Sequence, residues 1–351
     1  MKLDGLDLRR LDPDEMHLRI SELPDQILQA WGLVAELSLP KAYRDFRNVA
    51  VLGMGGSAIG ADLARSLLEH SSPVPIQVVR DYRCPAYVGP DSLVIASSYS
   101  GNTEETLAAL EEALAAGAHC VAVGTGGKLE QRALAAGLPY VPFHYRSSPR
   151  AAIGFSFALI AGVLRAAGLS AFSLDDLRDA ADVMRAWQAE LSPDVPTETN
   201  AAKQMALRLH GRVPIVYGAG ILSEVARRWK GQVNENSKAW AFFEVMPELN
   251  HNAVLGYSNP GPDEQKQTVI MLRSKLDHPR VQVRYDVTAT LLEQNGVPCE
   301  MVWARGDTAV AQMLSSIHFG DYVSLYLAYL YESDPTPVGS IDYLKAQLAQ
   351  A

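Results

Sequence analysis

The sequence predicts an α/β fold of two doubly wound, flavodoxin-like parallel-sheet domains with a C-terminal tail. Three observations carry this. Short β-branched runs alternate with helix-length amphipathic segments, a glycine turn joins each run to the helix after it, and the whole unit occurs twice. NVAVLGMGGSAIGADLARSL from Asn48 is echoed by RVPIVYGAGILSEVARRW from Arg212. Further on, TLAALEEALAAGAHCVAVGTGG matches VTATLLEQNGVPCEMVWARGD as helix, glycine stop, strand and glycine loop, with Cys120 and Cys299 at corresponding places. Strands alternating with helices of this length favour a parallel sheet covered on both faces. Between the copies, the stretch from Ser173 to Asn200 reads as a capped helix and a proline-containing linker, with the boundary at Pro193 to Asn200. The expected division is residues 1–170 for the N-terminal region and first domain, 171–200 for helix and linker, 201–330 for the second domain and 331–351 for the tail. A length of 351 residues agrees with two cores rather than one.

Composition narrows the function. Hydrophobic residues make up 48% and charged residues 20%, an ordinary globular balance. A formal charge of -9 argues against an extended basic surface for nucleic acid or anionic membrane, while leaving room for a small basic pocket. The start of the chain alternates charge and lacks the apolar core of a secretory signal, so a cytoplasmic protein is expected. The most apolar stretch, AAIGFSFALIAGVLRAAG at 151–168, is too short before Arg165 to span a bilayer and suits a buried helix. Cys84, Cys120 and Cys299 are too scattered for a disulfide framework or a CxxC metal site. No metal or cofactor is expected.

Two loops of the first copy could hold an anion. GMGGSAIG, Gly53 to Gly60, includes Gly55, Gly56 and Ser57 and follows a strand directly; its glycines allow close backbone approach, although the dinucleotide fingerprint is absent. A tight turn is the competing explanation. After the strand SLVIASS comes YSGNTEET, where Ser98, Ser100 and Thr103 surround a glycine at a helix start. Hydroxyls and free N–H groups there form a phosphate cradle without a lysine; ordinary capping by Ser100 or Thr103 is the alternative. Both loops leave the carboxyl ends of strands, where open α/β sheets bind ligands.

GMGGSAIG together with SSYSGNTEET resembles the phosphosugar-binding pattern of the sugar isomerase (SIS) domain. With NENSKAW, PELNHN and DPTPVGSIDYLK added, the chain is similar over nearly its whole length to the bacterial and archaeal bifunctional phosphoglucose/phosphomannose isomerases. The resemblance implies interconversion of glucose, mannose and fructose 6-phosphates, in which one carboxylate moves a proton between C1 and C2 through an enediol. Glu235 is the candidate base, with Leu222, Val225, Trp229, Val233 and Trp240 at roughly helical spacing around it and Asn234 and Asn236 placed to orient it. Glu244 and Glu248 are its rivals. The resemblance further implies that His251, contributed by the neighbouring subunit of a homodimer with shared sites, and Lys345 of a folded-back tail open the sugar ring. Arg150 would stabilise the enediolate, with Arg146 as the alternative, and Thr336 would allow both C2 epimers. Another phosphosugar isomerase or a noncatalytic phosphosugar-binding regulator are the remaining readings.

Overall fold

In a computed structural model, which describes residues 3–261, 266–348 and 350, the chain forms two compact units. One comprises Glu22–Arg185 and Arg305–Ser315; the other comprises Met1–Ser21, Ala186–Ala304 and Ser316–Ala351. The N-terminal residues, counted above with the first domain, thus group with the second unit. Two side chains explain this. Asp4 accepts from Lys203 Nζ at 3.1 Å and from the Thr197 hydroxyl at 2.8 Å. Asp12, buried, accepts from the backbone N–H of Met16 at 2.7 Å and from the Tyr329 hydroxyl at 2.9 Å.

The first unit holds strands β1 (Asn48–Leu52), β2 (Ile76–Val79), β3 (Ser92–Ser98), β4 (His119–Gly124) and β5 (Tyr140–Pro142). All pair in parallel in the order β2-β1-β3-β4-β5. β3 is buried along its whole length, which is why its sequence runs apolar without alternation. The order reverses between β1 and β3, the position at which open α/β sheets of this kind bind their ligands. On one face, helix Ile153–Ala166 packs against helices Leu23–Val34 and Gly55–Leu68. Side chains added at Gly154, Gly162 and Gly60 would overlap Gln26, Val34 and Ser156. Pro149–Ala166 is long and apolar enough to cross a membrane, yet 89% of it is buried, as expected of a core helix.

The second unit holds β6 (Val213–Ala219), β7 (Phe242–Met246), β8 (Gln267–Arg273) and β9 (Cys299–Trp303), parallel in the order β7-β6-β8-β9. This repeats the first four strands of the other sheet. Cys120 pairs with Val94 across β4 and β3, and Cys299 with Val269 across β9 and β8, so the matching cysteines mark equivalent strands. Helix Ser223–Glu235 buries Val225, Trp229 and Val233, and Leu222 just before it is also buried. Trp240 departs from the expectation. The helix stops at Glu235, and Lys238 with φ +54° turns the chain, so Trp240 lies off the helix, 74% exposed and stacked on Phe242.

The turn after β8 contains a carboxyl whose burial disfavours its charged form. Loss of water pushes the Asp277 carboxyl up to about 6, a rise that the Ser274 N–H at 3.2 Å and the Arg273 charge only partly offset. A carboxyl raised above its unfolded value gives stability that is full at acid pH and lost as pH rises through about 6. At pH 7.5 the resulting penalty is on the order of 3 kcal/mol. Asp277→Asn should therefore raise Tm by several degrees at pH 7.5, with the gain shrinking as pH falls below 6. Thermal melts of both proteins from pH 4.5 to 8 test this; a gain independent of pH would refute it.

Candidate active site

In the first unit, the loops after β1, β3, β4 and β5 interlock. Gly55 has φ +50° and no atom within 4 Å of the place a side chain would occupy, so it leaves the loop open on that side. At Gly56 an added Cβ would lie 2.6 Å from the Pro149 carbonyl oxygen; the missing side chain lets the β1 loop close on the turn Pro149–Ala152. Ser57 is buried, and its Oγ accepts from the Tyr99 N–H at 3.1 Å, joining the first loop to the second.

In the second loop the hydroxyls do not cap the helix that follows. Thr103 stands at the N-cap position of helix Glu104–Ala115, but no side chain caps that helix. The Thr103 hydroxyl instead lies 2.8 Å from the hydroxyl of buried Ser98. Ser100 is exposed, and its Oγ accepts from the Asn102 N–H at 3.2 Å. The first amides of the helix are thus left without a side-chain acceptor beside three hydroxyls, an arrangement suited to an anion.

Support for this loop comes from residues to which the sequence reading gave no role. Thr125, after β4, donates its hydroxyl to the Tyr99 carbonyl at 2.6 Å, and the Leu129 N–H donates to the Gly101 carbonyl at 2.9 Å. The Tyr99 hydroxyl accepts from the Ser147 N–H at 2.9 Å and donates to the Ser147 carbonyl at 2.8 Å. A hydroxyl-bearing aromatic at a strand end, between Ser98 and Ser100, was the available signal. The two candidate arginines differ sharply: Arg150 is 2% exposed on the turn that Gly56 abuts, whereas Arg146 is exposed.

In the second unit, Glu235 is the last residue of helix Ser223–Glu235 and is half-buried. Its neighbours hold the main chain on either side. Asn234 Nδ2 donates to the Ala239 carbonyl at 2.8 Å, buried Asn236 Nδ2 donates to Ser324 Oγ at 3.0 Å, and Ser237 Oγ donates to the Ser324 carbonyl at 2.6 Å. A buried ion pair, Arg228 to Asp321 at 3.0 Å, and the bond from Trp229 Nε1 to the Ser316 carbonyl at 2.9 Å fix the helix itself. These bonds make the asparagines backbone clamps around Glu235. The rivals are placed differently: Glu244 is exposed on β7, and exposed Glu248 accepts from Asn252 at 3.2 Å.

His251 is exposed at the end of the short turn Glu248–His251. Thr336 is half-buried after buried Pro335, and its N–H donates to Asp334 at 2.9 Å. Lys345 is exposed on helix Gly339–Leu348, which buries none of its residues. The structure therefore gathers Gly55, Gly56, Ser57, Ser98, Ser100, Thr103 and Arg150 in one unit. Glu235, His251, Thr336 and Lys345 belong to the other. Among the described residues, no three His, Cys, Asp or Glu side chains gather as a metal centre requires.

Comparison with known proteins bears on both units. A family model described as bacterial phospho-glucose isomerase C-terminal SIS domain matches residues 198–348, and the SIS domain model matches residues 42–133. A bifunctional phosphoglucose/phosphomannose isomerase from Caldicellulosiruptor bescii is 41% identical over 94% of this chain and 98% of its own. One of the same name from Aquifex aeolicus is 37% identical over 88% of this chain and 93% of its own. A glucose-6-phosphate isomerase-like protein from Thermus thermophilus shares the fold, with TM-score 0.62, 18% identity and coverage of 97% of this chain and 99% of that one.

Proposed function

From a chain that belongs to the bifunctional phosphoglucose/phosphomannose isomerase family, we propose an aldose–ketose isomerase that interconverts glucose 6-phosphate, mannose 6-phosphate and fructose 6-phosphate. The observation that carries it is the uncapped start of helix Glu104–Ala115 beside the paired hydroxyls of Ser98 and Thr103. A phosphate dianion there receives helix amides, the Ser100 hydroxyl and, of the bonded pair Ser98 and Thr103, the hydroxyl whose proton is not donated to the other, with Gly55, Gly56 and Ser57 on the loop after β1 facing it.

With the phosphate end held, the sugar's C1 and C2 need one base that reaches both. Glu235 takes the proton from one carbon and returns it to the other, and its half-buried place at a braced helix end suits a group that must stay fixed between the two events. Arg150 supplies the cation for the enediolate oxygens. Its burial on the turn against Gly56 supports it over exposed Arg146. His251 and Lys345 exchange protons with the ring and C1 oxygens to open the cyclic sugar, and Thr336 tolerates either orientation at C2. The exposed position of His251 accords with a homodimer in which this histidine serves the neighbouring subunit's site. The protein works in the cytoplasm on soluble sugar phosphates, with no metal or other cofactor.

Coupled assays with each of the three hexose phosphates test the activity, and absence of turnover with all of them would sink it. The phosphate site has its own test. Ser100→Ala and Thr103→Val should each weaken substrate binding by about 1.5–3 kcal/mol, the worth of a hydrogen bond to a charged group. KM should rise at least about tenfold in both; Tm should hold in Ser100→Ala and fall modestly in Thr103→Val, which takes from buried Ser98 its hydroxyl partner, and inorganic phosphate should compete with substrate. A lowered Tm with unchanged KM would return both residues to a structural role.

A further inference from the structure

We propose that Lys238 is a positioning residue that straps the segment bearing Thr336 to the end of the helix presenting Glu235. Its ammonium donates to two carbonyls, that of Glu235 at 2.6 Å and that of Pro335 at 3.0 Å. The first is among the last carbonyls of helix Ser223–Glu235, where the helix carries partial negative charge and a cation is favoured. The second belongs to a residue 97 positions further along the chain. One side chain thereby joins the main chain of the proposed base to that of the residue preceding Thr336.

The backbone of Lys238 points the same way. Its φ of +54° is a left-handed conformation that a lysine adopts at a cost and a glycine adopts freely. The turn alone would be better served by glycine. What glycine lacks is the ammonium, and the left-handed turn brings the lysine back over the carbonyl three residues earlier while it reaches Pro335. In the segment after helix Ala309–Leu330, Pro335 is buried, whereas among the described residues helix Gly339–Leu348 beyond it buries none. Freed from Lys238, residues 334–336 lose a fixed distance to Glu235.

The catalytic half of this inference rests on the isomerase reading; the strap itself does not. The test compares wild type with Lys238→Gly, which removes the ammonium and relieves the turn, and Lys238→Arg, which keeps a cation of similar reach. Four quantities are read: Tm, hydrogen exchange of the amides at 333–339, and kcat and KM for each hexose phosphate. For Lys238→Gly, Tm should hold or rise while exchange at 333–339 accelerates. Its kcat should fall about tenfold or more with KM within about twofold, since a small displacement of reacting groups acts mainly on the chemical step. Lys238→Arg should recover both protection and kcat. Activity then falls without any loss of global stability, which a purely structural role does not produce. Unchanged exchange in the glycine variant would overturn the strap, and faster exchange with unchanged kcat would overturn the positioning role. If wild type turns over no hexose phosphate, the isomerase reading and the catalytic half fail together, and exchange still decides the strap.

Discussion

Glu235→Gln should abolish isomerisation of glucose and mannose phosphates together, with kcat falling by about 10²–10⁴-fold, the range a positioned general base supplies. The two activities fall as one because a single carboxylate serves the same C1–C2 proton transfer for both epimers. Glutamine keeps the size of the side chain, and the bonds from Asn234 to Ala239 and from Asn236 to Ser324 hold the local backbone without the carboxylate. Tm should therefore change little. The measurement is turnover with each substrate, together with solvent deuterium incorporation at C2, which should vanish as well. Near-normal turnover would move the base to Glu244 or Glu248.

Two inactive proteins, Glu235→Gln and His251→Ala, should regain activity when their subunits exchange. If His251 serves the neighbouring chain's site, each mixed dimer has one site with both groups intact and one lacking both. Random reassortment makes half of the dimers mixed, so recovery should approach roughly a quarter of wild type. Mass spectrometry establishes that exchange has occurred. No recovery after confirmed exchange would place the two residues in the same chain's site or remove His251 from catalysis.

Most of the architecture was legible because its signals are local and repeated. A β-branched run, a glycine turn and an amphipathic helix leave the same trace in both copies, and Cys120 and Cys299 fall on equivalent strands. What escaped depends on contacts distant in sequence. Nothing local distinguishes Arg146 from Arg150; the difference is that one lies exposed and the other is buried on a turn whose backbone abuts Gly56. Trp240 kept helical spacing with Val233, but the chain had already turned at Lys238. Ser98 and Thr103 could be recognised as hydroxyls near a helix start, whereas their mutual bond, which leaves the helix uncapped, is a matter of three-dimensional geometry. The bond from Asp4 to Lys203 spans 199 residues and has no counterpart in any local pattern.

The interrupted membership of both units sets an order of events during synthesis. The unit containing Glu22–Arg185 also uses Arg305–Ser315, where Val310, Ala311, Met313 and Leu314 are buried. Met1–Ser21 belongs with chain that begins only at Ala186. At about 5–20 residues per second, this first segment leaves the ribosome roughly ten to thirty seconds before its partners begin to emerge. Nascent chains halted near residue 200 should consequently bear residues 3–21 undocked and open to proteases, and neither unit reaches its full set of residues until translation has passed Ser315.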